Sequence, residues 1–529
     1  AERSIHTLIL ERIHAPAVPE LGLKEISFAS VPDMLAKMDN PTALNLVQKI
    51  LPSINILDPA VGSGAFLVAA LKVLINIYSA VVGRAELGNG NALHYWLDQI
   101  KKEHSSVAYY IKRSIVTDNL YGADIMQEAT EIAKLRLFLT MVASVRKVEE
   151  LEPLPNIDFN ILPGNSLVGL MRVDEHEFDK RNAQGDLFKP NYRRLLEEKN
   201  RRLRQYRHTA DFMGRDVNLR QLRDDIDKEM DDAKDILNVL LRDQFEALGV
   251  KYEQATWDEA NQNLGKPIKR KIATADIAEQ SPLHWGYVFD EVMHKYGGFD
   301  IILTNPPWEV FQTNQKEFFQ ELDEKITKKK LRIEEWEKQF AEIMSDKYLR
   351  QKWLHYASKF PHVQSYFKKV SDYQATSASG AKLNLYMLFI ERCFCLLRPG
   401  GHCGMVIPSG IYTDLGAKGL RDLLFNHSHI EGLFCFENRK EIFENVHRSF
   451  KFVVLTFEKS SVPRLQDIGE RNASAPPDDL LAPTRTGELG TTRFPAAFMR
   501  HDVAELDRFP NEGALWLGVE LIRRLSPDS

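Results

Sequence analysis

The sequence predicts an α/β fold: a doubly wound, parallel-rich sheet of Rossmann-like type that carries large helical insertions. Three observations carry this expectation. Short apolar runs alternate with helical stretches, as strands alternate with crossover helices. The runs end on turns rich in Gly, Asp and Asn: Asp58-Pro59-Ala60-Val61-Gly62-Ser63-Gly64, Tyr121-Gly122-Ala123-Asp124, Gly164-Asn165-Ser166 and Thr304-Asn305-Pro306-Pro307-Trp308. Such sheets bind ligands at the carboxyl ends of their strands, which is where these turns fall. Two strongly charged stretches, roughly 171–296 and 315–370, break the alternation and read as insertions.

The elements follow in order. Ile54–Leu57 is a strand, and Ala65–Val82 is a mostly buried helix. A polar stretch from Gly83 to Asp118 precedes the strand that ends at Asp124, and Thr130–Val142 is helical. Phe159–Leu162 is a third strand. Tyr192–Leu248 has helical spacing, and Phe299–Leu303 is a further strand. Leu383–Leu397 is a helix stopped by Arg398-Pro399-Gly400-Gly401. Cys403–Ile407, Ile430–Phe436 and Phe452–Phe457 complete the strands, and the tail after Lys459 reads as loop and linker with one helical piece over Ala514–Leu525. This divides the chain into an N-terminal helical segment (1–53), one half of a core (54–170), a charged helical insertion (171–297), the other half (298–459, itself interrupted at about 315–370) and a linker or C-terminal start (460–529).

Bulk properties set limits. The chain has 529 residues, 44% hydrophobic content and a formal charge of −5. That composition supports a large core, and any nucleic-acid surface must be a local basic patch. The four cysteines, Cys393, Cys395, Cys403 and Cys435, lie in apolar stretches without metal-ligand spacing, so they read as free buried thiols in a reducing, cytoplasmic setting. No export signal is visible, and no apolar run looks long enough for a membrane span.

The turns carry chemistry. Gly62 and Gly64 let the backbone approach a ligand with no Cβ in the way, and the following helix offers free N–H groups. Asp58 can face an ammonium group. Asp124, with Ile125 after it, can accept ribose hydroxyls, although it lies about 60 residues from the glycine turn where about 20 is usual. Asn165 and Ser166 close the third strand, where an amide can pair with an adenine edge. Taken singly, each is also what an ordinary turn would contain.

Asn305-Pro306-Pro307-Trp308 is the decisive tetrapeptide. An exocyclic amine such as adenine N6 is a poor nucleophile, because its lone pair is delocalised into the ring. The Asn305 side-chain oxygen and the Pro306 carbonyl can accept its two hydrogens and restore that lone pair. Two prolines fix the backbone and remove competing donors. Trp308 can stack on an extruded base.

Together these motifs resemble those of the gamma-class adenine-N6 DNA methyltransferases. Asp58–Gly64 resembles the family's cofactor motif, with Val61 where cysteine is usual. Asp124 matches its acidic ribose position, Asn165 sits where many members carry aspartate, and Asn305–Trp308 matches the catalytic tetrapeptide. Asn384-Leu385-Tyr386, Leu397–Gly401 and Val406–Gly410 resemble later landmarks. Phe443 falls where an aromatic packs on the flipped base. The resemblance spans about Ile54 to Glu458. It is closest to the large methylases of type IIG restriction–modification enzymes and of phage-defence systems such as DISARM and BREX.

It implies a class I methyltransferase core, S-adenosyl-L-methionine as cofactor, no metal, and methyl transfer to N6 of an adenine flipped from double-stranded DNA. Other defence-system subunits are implied as further partners, and no membrane. The usual N-terminal Y-T-P cofactor motif is not visible, so a segment around Phe28–Met38 is expected to close the pocket. Only 70 residues follow Lys459, too few for a target-recognition domain. Two basic stretches, Tyr192–Arg223 and Lys328–Arg332, are candidates for phosphate contact. No nuclease constellation is visible, so modification without cleavage is expected. Methyltransfer to RNA adenine or protein glutamine, and a scaffold role within a defence complex, remain as alternatives.

Overall fold

The computed structural model describes residues 1–14, 27–88, 90–143, 154–183, 190–208, 219–322, 333–370, 383–444, 446–460 and 490–525. Its centre is a nine-stranded sheet. The strands are β1 (Ile56–Asp58), β2 (Leu120–Asp124), β3 (Ile161–Pro163), β8 (Phe299–Thr304), β9 (Leu397–Pro408), β10 (Ser428–Glu437), β11 (Lys451–Lys459), β12 (Arg493–Arg500) and β13 (Leu515–Gly518), in the spatial order β13-β12-β10-β11-β9-β8-β1-β2-β3. From β3 through β9 all neighbours are parallel, whereas β11 runs antiparallel between β9 and β10. The chain leaves β1 toward β2 and β3, then returns to β8 on the other side. That reversal is the topological switch point at which such sheets bind ligands.

The central strands are apolar on both faces, as parallel strands covered on both sides must be. Alternation assigns the faces. Ile56, Ile301 and Leu303 join a core cluster with Leu67, Leu71 and Leu74 of the Ala65–Leu87 helix. Leu57 and Ile302 point the other way, into a cluster with Met387, Ile390 and Phe394 of the Leu385–Leu396 helix. The first layer is built by α1 (Glu2–Ile13), α2 (Val31–Lys37), α3 (Asn40–Asn45), α4 (Ala65–Leu87), α5 (Ala92–Glu103), α6 (Val107–Asp118) and α7 (Gln127–Val142).

Several expectations need correction. Helix α4 runs 23 residues with a mean hydropathy of 2.1 over its most apolar window, so by length and composition it is able to span a membrane. A single lysine, Lys72, hides this in the sequence. In the structure it is a core helix, with Leu67, Leu71, Leu74, Tyr78 and Val81 buried against the sheet and its neighbours. The polar stretch before β2 forms α5 and α6, which explains the long spacing between the glycine turn and Asp124.

The block at 171–297 is not purely helical. After α8 (Glu175–Asn182), α9 (Tyr192–His208) and α10 (Leu219–Ala247) it forms two small antiparallel pairs. These are β4 (Tyr252–Gln254) with β7 (Ile268–Arg270), and β5 (Trp257–Asp258) with β6 (Asn263–Leu264). The block packs around Phe178, Tyr192, Leu237, Leu241 and Phe245, in a cluster shared with Val363, Tyr366 and Phe389. The tail also departs from a plain linker. Residues 461–489 lie outside the described residues, but β12 and β13 extend the main sheet, and the helical piece shrinks to Val519–Leu525. Pro495 and the alanines 496–497 mask the strand signal of β12, because neither residue type favours strands.

Helix α1 lies on the α4 face of the sheet, and its last turn reaches the amino ends of the central strands. Arg12 and Arg398 both bind the buried Asp300 carboxylate at the start of β8, which also accepts the Asn55 N–H at 2.8 Å. His402 of β9 sits between Glu11 and Glu431 at 3.1 and 3.2 Å. These acids, opposed by burial, raise its pKa to about 10 and keep it charged. Cys393, Cys403 and Cys435 are buried free thiols, and Cys395 is half-buried.

Candidate functional site

The glycine turn follows β1 at the centre of the sheet. Gly62 and Gly64 adopt φ of +48° and +78°, a region costly for residues with a Cβ. At Gly64 a Cβ would also lie 3.1 Å from the Ala133 Cβ, because α7 packs against the turn. At Gly62 it would meet nothing within 4 Å, so the loop opens onto free space there. Arg136 of α7 donates to the Ser63 hydroxyl at 3.1 Å.

Asp58 is buried at the end of β1, and its Oδ1 accepts the Ala60 N–H at 3.1 Å. Burial raises its pKa to about 7. The Thr304 hydroxyl nearby, without an aligned hydrogen bond, and the Ala60 N–H pull the value down, while Asp124 adds to the rise. Among the described residues no cation is a cause of this shift. A desolvated carboxylate without a counter-charge is a costly arrangement that a bound cation relieves.

Asp124 comes back to the turn despite its distance in sequence. Its Oδ2 accepts the Gly62 N–H at 2.9 Å and its Oδ1 the Met126 N–H at 3.0 Å. Each oxygen keeps a second lone pair for a ligand. The same carboxylate therefore also orders the glycine turn. Ile125 beside it is 63% exposed, an apolar side chain held out at the same edge.

The third predicted turn divides in two. Asn165 is half-buried. Its Oδ1 accepts the Leu167 N–H at 3.0 Å, and its backbone bridges to Pro282. Ser166 is buried, and its hydroxyl donates to the Pro59 carbonyl at 2.6 Å. Trp285 Nε1 donates to the Ser166 carbonyl. Ser166 thus ties the end of β3 to the glycine turn, and its own hydroxyl proton is already used.

The Asn305–Trp308 turn follows β8, which is hydrogen-bonded to β1. The two turns therefore leave adjacent strands at one edge, with strand axes about 4.8 Å apart. Asn305 and Pro307 are exposed, Pro306 is buried and Trp308 is half-buried. The chain beyond Trp308 is held by Asn384-Leu385. Phe311 N donates to the Leu383 carbonyl at 2.7 Å, and Leu385 N to the Glu309 carbonyl at 2.9 Å.

Trp308 Nε1 donates to the Val406 carbonyl at 3.3 Å. Its ring meets Phe443 edge-on at 5.5 Å and stacks on Phe450 at 5.4 Å. Phe443 is therefore beside Trp308, as its sequence position suggests. Asn438 fixes it, with Nδ2 donating to the carbonyls of Phe443 and Val446 and Oδ1 accepting the Phe443 N–H, all at 2.9 Å. Sequence reasoning missed Asn438, Phe450, Thr304 and Arg136. Asn438 and Arg136 belong to no motif, and only the spacing of Phe450 to Phe452 on one strand face hints at its place.

One other expectation fails. The Phe28–Met38 segment lies away from the glycine turn: Leu35 and Ala36 carbonyls accept from Arg84, near the far end of α4. Twenty residues of helix separate Arg84 from Gly64, about 30 Å. The basic face of α9 is largely engaged with acids of the same block. Arg193 pairs with Glu175, Arg201 with Glu198, Arg202 with Glu198 and Glu229, and Arg204 with Glu291. The sequence shows the arginines but not that the fold brings acids from other helices to them. Arg215 and the Lys328–Arg332 patch lie outside the described residues.

Comparison with known proteins bears on the same segments. The family model of the Eco57I restriction–modification methylases matches residues 118–346 and 328–443, more than half the chain. The DNA-methyltransferase domain of MmeI matches residues 34–166. A protein of Methanocaldococcus jannaschii, named as a type II restriction enzyme and methyltransferase, is 27% identical over 357 residues. That match takes in 61% of this chain and 28% of the relative, so the chain spans under a third of that relative's length.

Among solved structures, the modification subunit of a type I restriction enzyme from Vibrio vulnificus YJ016 aligns over 93% of this chain and 58% of its own, at 11% identity and a TM-score of 0.33. The type ISP restriction–modification enzyme LlaGI, with a DNA substrate mimic, aligns over 92% and 26%, at 11% identity and a TM-score of 0.38. The strand order and the two matching families define the fold of the chain.

Proposed function

Because the chain belongs to the Eco57I restriction–modification methylases, with a class I methyltransferase core, we propose that it methylates DNA, using S-adenosyl-L-methionine, at N6 of an extruded adenine. The observation that carries this reading is the emergence of the Asn-Pro-Pro-Trp turn and the glycine turn from adjacent strands at the switch point. One edge then serves both a cofactor and an amine.

The chain's residues fit the cofactor. The buried, uncompensated Asp58 suits the ammonium of its methionine moiety. Asp124, whose oxygens each keep a lone pair, suits the ribose hydroxyls, and the exposed Ile125 suits an adenine face. Pro59, Ala60, Gly62 and Gly64 form the cradle, Asn165 flanks it, and Ser166 holds it in place. The bound cofactor supplies an electrophilic methyl group on a sulfonium.

The remaining work falls to the turn after β8. Asn305 Oδ1 and the Pro306 carbonyl accept the two hydrogens of the exocyclic amine, orient it and localise its lone pair. Pro307 holds that geometry, and Trp308 with Phe443 packs the base. No covalent enzyme intermediate is required, since alignment suffices for direct transfer, and the proton that the amine sheds on methylation passes to solvent.

The test is incubation with unmethylated DNA and cofactor, followed by nucleoside mass spectrometry. N6-methyladenine is the expected product. N4-methylcytosine would reassign the base, and methyl transfer confined to RNA or protein would overturn the DNA reading.

A further inference from the structure

We propose that Phe450 is a built-in stand-in for the target base: without DNA its ring occupies the stacking platform on Trp308, and it swings aside when a base arrives. The inference rests on the base-extrusion reading above, and it adds an occupant that the incoming base must displace.

Among the described residues three rings lie around Trp308, and their geometries differ. Phe443 meets it edge-on at 77°, so it walls the site without covering the indole. Phe452 lies 6.2 Å away at 25° and is buried within β11. Phe450 is nearly coplanar with the indole, at 8° and 5.4 Å, and is 37% exposed. It alone of the three combines a parallel ring with substantial exposure.

The surrounding backbone is pinned. Phe450 N donates to the His447 carbonyl and its carbonyl accepts the Asn438 N–H, both at 2.9 Å. Asn438, fully buried, anchors the same loop through its side chain. Displacement therefore needs a rotamer change of one partly exposed side chain, and not a loop opening.

The physical logic is exchange. A bare indole face at the surface leaves apolar area in water, and the offset phenyl ring covers part of it. A purine presents a larger stacking face than phenyl, so the exchange favours the base once it has left the duplex. Until then Phe450 competes with it.

The test is equilibrium binding of 2-aminopurine deoxyriboside, followed by quenching of its fluorescence, to the full chain and its variants. Phe450→Ala and Phe450→Leu are expected to lower the dissociation constant by about three- to tenfold, the size of one displaced ring contact. The gain is expected to vanish in a Trp308→Ala background. Thermal melting shows which variants are folded, and Phe450→Leu is the gentler of the two.

An unchanged or weaker affinity in the Phe450 variants, with binding still lost on Trp308→Ala, would overturn the stand-in and leave the base pocket intact. Binding indifferent to Trp308→Ala would instead remove the pocket reading, and the stand-in with it.

Discussion

The two ends of the central sheet treat buried charge in opposite ways. At the amino ends, Asp300 is met by two arginines and a backbone N–H, and His402 by two glutamates. At the carboxyl ends, Asp58 is equally buried, yet among the described residues no cation contributes to its shift. Its pKa rises to about 7, whereas the charge of His402 is reinforced. A protein that neutralises buried charge at one end and leaves it open at the other has marked where a ligand supplies the missing partner.

The sharpest way to break this contrast is to remove the partnered carboxylate. Asp300→Ala removes a buried carboxylate and leaves the half-buried Arg12 and Arg398 without it. It is expected to cost about 3–5 kcal/mol of stability, read by denaturant unfolding. A loss below about 1 kcal/mol would mean the amino end is no tighter than an exposed ion pair. The carboxyl end should respond in the other currency. Asn305→Ala is expected to lower kcat for methyl transfer about 100- to 1000-fold, with cofactor affinity and melting temperature unchanged. A comparable fall in melting temperature would make Asn305 a structural residue and erase the distinction between the ends.

The contrast also explains what the sequence made legible. The central strands and their turns were readable because parallel strands are continuous apolar runs, and because Gly62, Gly64, Pro306 and Pro307 have backbone reasons to be where they are. Partnership was not readable. Nothing in the spacing says that Asp124 returns to the Gly62 N–H across three helices, that the Ser166 hydroxyl donates to Pro59, or that the arginines of α9 meet Glu175, Glu229 and Glu291. Strand β12 was hidden by Pro495 and two alanines, whose burial comes from the neighbours β10 and β13. Helix α4 shows the reverse failure. Its composition satisfies two environments, and only packing chooses between them.

Asp58 gives the contrast a pH signature. The folded carboxyl holds its proton up to about pH 7, while the unfolded one releases it near pH 4. Between those values the native state binds more protons, so without ligand this group lowers stability as pH rises. Cofactor binding has the opposite sign, because the ammonium needs the ionised form. Affinity is expected to rise about tenfold from pH 5.5 to 7, below the titration of an amino group near 8. Titration calorimetry on the wild type and on Asp58→Asn tests this, the variant losing the slope. A flat wild-type profile would put a counter-charge beside Asp58 and end the asymmetry.

The smallest expected effect falls on Ile125, and it probes the same edge without charge. At 63% exposure its side chain has much apolar surface still in water, whereas the neighbouring Ala123 is buried. An exposed aliphatic side chain next to Asp124 gains only when something covers it. Covering it with an adenine face is worth about 1 kcal/mol, so Ile125→Ala is expected to weaken cofactor binding about fivefold and leave unfolding within about 0.5 kcal/mol of wild type. The pair of measurements is what matters. A residue that stabilises the free protein would move the second and spare the first, placing Ile125 with the self-sufficient amino end. Loss of affinity alone places it with Asp58, as part of a surface completed by its ligand.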